Sequence, residues 1–215
     1  MKPQTHITYL LDPLCGWCYG ASPALRELAA HPDIALELAP TGLFSGRGAR
    51  PMDAQFAAFA WSHDQRIAKL SGQIFSETYR QKVLGTPGGT LDSGPATLAL
   101  MAVALTEPSR QLAGLGVIQE ARYVSGRDVT DVQELRIILT SAGFHSAADR
   151  LEAPDAQLLA ETRSRIEAAQ AAMRAFALDG VPALIVESRE GRRLVRANAL
   201  FAVAQLFEEL ALIRR

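Results

Sequence analysis

Cys15 and Cys18 are the only two cysteines in 215 residues, and they stand three positions apart in Asp12-Pro13-Leu14-Cys15-Gly16-Trp17-Cys18-Tyr19-Gly20. An apolar run, Ile7-Thr8-Tyr9-Leu10-Leu11, leads directly into them. After them Ala21, Ala24, Leu25, Leu28 and Ala29 recur at spacings of three and four, the period of a helix face. The pair therefore falls where a strand hands over to a helix. The first turn of a helix carries unpaired backbone N–H groups and the positive end of the macrodipole. A sulfur placed there is favoured as thiolate over thiol. With Cys15 at the cap and Cys18 one turn further in, the two sulfurs share a face and can close a disulfide. The chemistry this pattern points to is reversible, two-electron thiol redox.

Other uses of two cysteines fit less well. A structural disulfide this short removes little chain entropy from the unfolded state. A structural zinc ion needs about four ligands, and the chain adds only the scattered His6, His31, His63 and His145 to its two thiols. Two inert core cysteines are an open alternative, but chance rarely puts the only two at this spacing on a strand–helix junction. No metal site is expected.

The elements that must position the dithiol follow from periodicity and punctuation. Residues 6–11 read as a strand, 15–30 as one helix, and 34–39 as a second, mostly apolar strand, together a β-α-β unit. Thr41 to Pro51, with Gly42, Gly46 and Gly48 among Arg47 and Arg50, reads as an exit from the sheet; the two arginines could help hold an anion such as glutathione. From Met52 to about Phe176 the pattern is helical. It is interrupted by Gly85 to Pro95, with Ser93 or Gly94 as cap for an apolar helix from Ala96 to Leu105. Thr130-Asp131-Val132-Gln133 reads as a capping box. Pro154 starts a long helix to Ala177 whose Glu161, Arg163, Arg165, Glu167 and Arg174 read as a solvated face. Ala183 to Glu187 and Arg192 to Arg196 form a hairpin around Ser188 to Gly191, and Asn198 is placed to cap a last amphipathic helix. The order β-α-β, helical block, β-β-α predicts an α/β protein with a large all-helical insertion.

These residues resemble the thioredoxin superfamily, most of all its DsbA-type thiol–disulfide oxidoreductases. Cys15-Gly16-Trp17-Cys18 is similar to the redox motif, and Pro23 falls where thioredoxins place a helix-kinking proline. Gly180-Val181-Pro182-Ala183, before Leu184-Ile185-Val186, resembles the cis-proline loop that faces the dithiol. The form with Cys-Gly-Trp-Cys is similar to a bacterial group of predicted DsbA-like protein disulfide isomerases. The resemblance implies a thioredoxin-like fold in two parts, residues 1–44 and 177–215, around a helical insertion at 45–176. It implies catalytic Cys15 and Cys18, the first attacking a substrate disulfide and the second resolving the mixed disulfide. Substrate contacts fall to Gly16, Trp17, Val181 and Pro182. Gly16 lets a backbone approach closely, and Trp17 is either exposed to partners or packed on the insertion. A cis Pro182 leaves the main chain of Val181 free to pair with an extended segment. Many relatives carry a buried carboxylate six residues before the first cysteine. Tyr9 stands there in this chain, and Asp12 is the nearest candidate proton acceptor for Cys18.

The implied partners are protein or small-molecule thiols and disulfides, with no cofactor beyond the dithiol itself and glutathione as a candidate co-substrate. Two further readings share the fold: a glutathione-dependent isomerase or transferase, and a non-enzymatic client-binding adaptor. A formal net charge of -1 gives no basis for binding nucleic acid or an anionic membrane surface. No apolar run approaches the ~20 residues of a membrane span. The N-terminus, Met1 to His6, lacks the apolar core and cleavage site of a leader, so a cytoplasmic location is expected. Composition does not fix an oligomeric state.

Overall fold

A computed structural model describes residues 5–188, 191–195 and 197–210. Strand β1 (Thr5–Leu11) leads through a tight turn to helix α1 (Gly16–Gly20), then α2 (Ser22–Ala30) and strand β2 (Ile34–Pro40). The expected single helix over 15–30 is thus two. Pro23 lies in the first turn of α2, where a missing N–H costs nothing; inside one continuous helix it would remove a backbone hydrogen bond and clash with the preceding turn. Helix α2 stops at His31, whose backbone is extended ahead of Pro32.

After β2 come a 3₁₀ turn, Gly46–Gly48, a short strand, β3 (Arg50–Pro51), and helix α3 (Ala54–Ser71), and the chain continues through α4 (Glu77–Tyr79) into a π-helical turn, Arg80–Leu84. Strand β4 (Thr90–Leu91) pairs with β3 across this segment. Helices α5 (Gly94–Thr106), α6 (Gln111–Tyr123), α7 (Val132–Ser141), α8 (His145–Glu152) and α9 (Ala156–Ala175) follow. Asp53 caps α3 by accepting from the Phe56 N–H, and Gly72 closes it in the left-handed conformation at φ 73°. Helix α5 is apolar all round and buries Ala96, Ala99, Leu100, Met101, Ala102 and Val103. Ser93 precedes it without capping it, because its hydroxyl is used elsewhere. The cap of α7 is Asp131, one residue later than the expected Thr130. Its carboxylate accepts from the Gln133 and Glu134 N–H groups, while the Thr130 hydroxyl turns back to Asp128.

Strands β5 (Ala183–Ser188) and β6 (Gly191–Val195) complete a sheet in the order β2-β1-β5-β6. β1 runs parallel to β2, with Thr5 opposite Ile34 and Leu11 opposite Pro40. β5 is antiparallel to both β1 and β6. Residues 189, 190 and 196, part of the expected hairpin, lie outside the described residues. A 3₁₀ turn, Ala197–Phe201, leads into α10 (Val203–Glu209). Asn198 sits inside that turn and not at the head of the helix; Ala202 takes that place.

Alternation along β1 and β5 sends residues to two covered faces. Ile7, Tyr9, Leu11, Leu184 and Val186 join the large core shared with α2, α5 and α10. Leu10, Ala183 and Ile185 pack beneath Ala169, Ala172 and Met173 of α9. Helix α9 therefore belongs to the sheet as a second layer. Its Arg165, expected on a solvated face, reaches Glu37 of β2 at 2.5 Å, and Gln170 donates to the Thr41 carbonyl at 3.0 Å. The expected boundaries near residues 44 and 176 fall in the connections after β2 and before β5. One apolar cluster runs across the first of them without a break.

The cap assignment is open to direct test. Asp131→Ala should lower unfolding free energy by about 1 kcal/mol, read as a shift of the urea midpoint at unchanged slope.

Candidate active site

The turn that carries the dithiol is held from within by Asp12. This side chain is fully buried at the end of β1. One carboxylate oxygen accepts from the Leu14 N–H at 2.9 Å. The other accepts from the Phe44 N–H at 3.1 Å and the Ser93 hydroxyl at 2.7 Å. Three segments distant in sequence meet on one carboxyl: the dithiol turn, the exit from β2 and the head of α5. Burial pushes the Asp12 carboxyl above the usual range, and the three donors and Arg122 pull it back. The Asp12 carbonyl also accepts from the Cys15 N–H at 3.1 Å, and Tyr123 donates to the Leu14 carbonyl at 2.7 Å.

Cys15 is the residue before α1, with extended backbone at φ -84° and ψ 117°. Its thiol donates to the Val181 carbonyl with Sγ–O 3.5 Å, and the Val181–Pro182 peptide is cis. Both thiols are free. Cys15 is 7% exposed and lines a pocket of about 280 Å³, whereas Cys18 is 0% exposed. Burial, followed by the hydrogen bond and charge of Cys15, pushes the Cys18 thiol well above the ordinary value; the charge of Asp12 adds to this. Tyr9 is buried beneath the dithiol and donates to the Cys18 carbonyl at 3.2 Å. Burial drives its phenol well above the ordinary value, so it is a neutral donor and no base.

The remaining expected contacts are placed as follows. Trp17 is half-buried, edge-on to Phe201 with ring centroids 5.4 Å apart, and the Arg66 guanidinium of α3 lies 5.8 Å from its ring. Both the helical block and the C-terminal segment hold it. A Cβ at Gly16 would collide with Oδ1 of Asp64, so this glycine admits α3 against the dithiol loop. Val181 lines the pocket beside Cys15, and Pro182 is buried behind it. Arg47 and Arg50 do not line this pocket; the Arg50 guanidinium lies 5.5 Å from the Phe56 ring. Among the described residues no group of three or more His, Cys, Asp and Glu is placed to hold a metal ion.

Sequence reasoning missed a polar cluster on the pocket wall: Asp64 of α3, Tyr79 of α4, and Arg122 and Tyr123 of α6. The Tyr79 hydroxyl donates to Asp64 at 3.0 Å. Burial raises the Asp64 carboxyl to about 7, against the opposing effects of Tyr79 and Arg122. Tyr123 stacks on Tyr19 at 4.7 Å, which ties the cluster to α1. The signal was register. Asp64 shares a helical face with Ala60 and Ile67, and Arg122 follows Leu115 and Ile118, so each charge interrupts an apolar stripe.

A model of the DSBA-like thioredoxin domain matches residues 6–208. No curated protein matches the chain. Among solved structures, the cytosolic disulfide reductase DsbM from Pseudomonas aeruginosa, with GSH, superposes with a TM-score of 0.82 at 27% identity, covering 96% of this chain and 100% of that one. A candidate protein disulfide isomerase from Nitrosomonas europaea gives 0.73 at 23% identity, covering 96% and 98%. The oxidoreductase DsbA from Xylella fastidiosa gives 0.53 at 14% identity, covering 98% and 91%. The last two show likeness of fold alone.

The raised Asp64 carboxyl has a consequence for stability. Between its unfolded value near 3.8 and its folded value of about 7, the native state binds more protons than the unfolded one. Stability from this group is therefore present at low pH and is lost as pH rises through that window. Asp64→Asn removes the dependence. Relative to the native protein, the variant should gain stability from pH 5 to pH 7 by up to about 1.4 kcal/mol per pH unit, measured by urea unfolding. A constant difference between the two proteins across that range would show that Asp64 does not titrate there.

Proposed function

The chain belongs to the DSBA-like thioredoxin domain family, and from that premise we propose that it is a thiol–disulfide oxidoreductase working through Cys15 and Cys18 with glutathione as co-substrate. The observation that carries the reading is the asymmetry of the two sulfurs: Cys15 faces the pocket at the head of α1 and Cys18 is sealed behind it. The thiolate of Cys15 attacks one sulfur of a substrate disulfide. A Cys15–substrate disulfide forms, and the other substrate sulfur leaves as thiolate. Cys18 loses its proton and attacks the sulfur of Cys15, and the second substrate thiolate departs. The substrate has gained two electrons and the Cys15–Cys18 disulfide holds the oxidation. Two glutathione thiols return the dithiol to its reduced state through the reverse steps, leaving as glutathione disulfide.

Asp12 is the carboxyl assigned to receive the Cys18 proton. Its support is the backbone hydrogen bond from Asp12 to the Cys18 sulfur and the charge interaction between the two side chains, with a carboxyl raised by burial, which keeps the neutral form within reach. Val181 supplies the main-chain surface beside the attacking sulfur, and Trp17 the apolar rim. Reductase and isomerase use share the first attack; they differ in whether Cys18 resolves the mixed disulfide or a second substrate thiol does. A reductase working in a cytoplasmic setting is the reading we favour. It is supported by likeness to a cytosolic disulfide reductase solved with GSH. A transferase or isomerase acting on glutathione conjugates would need one nucleophile and no Cys18. A client-binding adaptor would need neither thiol.

Cys18→Ala should accumulate mixed disulfides at Cys15, seen as slower bands on an acid-quenched non-reducing gel, while Cys15→Ala should accumulate none. Identical ladders from the two variants would remove the roles assigned here. Absence of any adduct from Cys18→Ala, with glutathione conjugates still turned over, would favour the transferase.

A further inference from the structure

Arg122 is a cation that the exchange steps leave unused. It lies in α6, 2% exposed, with its guanidinium 5.6 Å from the Tyr79 ring centroid and 5.7 Å from that of Tyr123. Among the described residues no carboxylate stands within ion-pair distance of it; its guanidinium donates to the neutral Tyr79 hydroxyl, and its buried Nε has no hydrogen-bond partner. A guanidinium does not shed its proton inside a protein. A buried charge without a contacting counter-charge is costly, and the cost falls when one arrives. Arg122 and Cys15 line the pocket together. Leu43, Phe44, Met52, Phe56 and Leu84 make most of the other wall apolar.

The one carboxyl on that wall, Asp64, is held by the Tyr79 hydroxyl and pressed against Gly16. Its value of about 7 leaves much of it uncharged near neutrality. It therefore compensates Arg122 only in part. A planar guanidinium is suited to a carboxylate, which it meets with two parallel N–H donors. A low-dielectric pocket strengthens such a pairing.

We propose that Arg122 anchors the carboxylate of a small thiol or disulfide whose sulfur reaches Cys15, and so selects carboxylate-bearing thiols, glutathione among them, over neutral ones. The inference rests on exchange chemistry at Cys15 and deepens it by naming the substrate class. Arg122 acts on binding; the bond-breaking steps remain those of the two cysteines. A pocket of about 280 Å³ suits a small thiol or the end of a peptide, close to the lower bound of about 300 Å³ for small-molecule sites.

The test separates the anchor from the chemistry. In a Cys15→Ser protein no exchange can occur, so binding of S-methylglutathione and of its diethyl ester is compared by calorimetry. The acid should bind about 10- to 100-fold more tightly than the ester. Arg122→Gln in that background should abolish the preference, and Arg122→Lys should restore part of it. Equal affinity of acid and ester in the Cys15→Ser protein overturns the proposal, whether or not Arg122→Gln folds. In the active protein the matched substrates are dithiodipropionic acid and its diamide. The KM of the acid should be about one tenth that of the amide or less, and Arg122→Gln should bring the ratio near one. A ratio unmoved by Arg122→Gln counts against the anchor. Turnover of both disulfides without preference would leave exchange standing and remove the anchor. Preference for the acid in Cys15→Ser, with no turnover of any disulfide by the active protein, would keep the anchor and remove the exchange reading.

Discussion

The site depends on one buried carboxyl. Asp12 ends the central strand, and its two oxygens take the Leu14 N–H, the Phe44 N–H and the Ser93 hydroxyl. Each donor comes from a different part of the chain, and the Leu14 N–H and the Ser93 hydroxyl would be unsatisfied buried polar groups without it. The dithiol turn is therefore fixed to the helical block at the same point where it is fixed to the sheet. This explains why the block packs as one body with the sheet: the core that starts at Ile7 and Tyr9 continues through α2 into α5 and α8.

Around that point the two sulfurs are given different environments by the same turn. Cys15 precedes the first residue of α1 and opens on the pocket; Cys18, one turn on, points into the fold above Tyr9. Tyr9 lies under the dithiol, where the resemblance to the thioredoxin superfamily implies a carboxylate. A neutral phenol there satisfies the Cys18 carbonyl without adding charge beneath the dithiol. The acidic groups near the loop come from elsewhere: Asp12 from the end of the strand, and Asp64 from α3, brought in by the absence of a side chain at Gly16.

The helical block contributes chemistry as well as volume. Tyr19, Phe75, Tyr79 and Tyr123 form a run of ring contacts from α1 to α6. Aromatic pairs of this kind pack with defined geometry and still offer hydroxyls to polar partners. Here those hydroxyls hold Asp64 and the Leu14 carbonyl. Arg122 sits at the end of this run, on the wall of the pocket opened by Cys15.

Much of this was legible in the chain itself. The spacing of Cys15 and Cys18 after an apolar strand placed the dithiol at a helix head, and the resemblance of Gly180-Val181-Pro182 to the thioredoxin cis-proline loop marked the facing loop. Both signals are local: a short run of residues fixes hydrogen bonding and periodicity without help from the rest of the protein. Pro23 carried the break between α1 and α2, although periodicity alone joined them. The cap of α7 was misplaced by one residue because Thr130 and Asp131 can both accept from a helix head, and only the neighbouring Asp128 decides which is free. What tertiary structure alone decided are the convergences. That Asp12 meets Phe44 and Ser93, that Arg165 crosses to Glu37, and that Asp64 and Arg122 face the dithiol all depend on how helices and strands pack over long separations. A charge on an apolar stripe shows that a polar group will be buried; which partner it finds there is fixed by the fold.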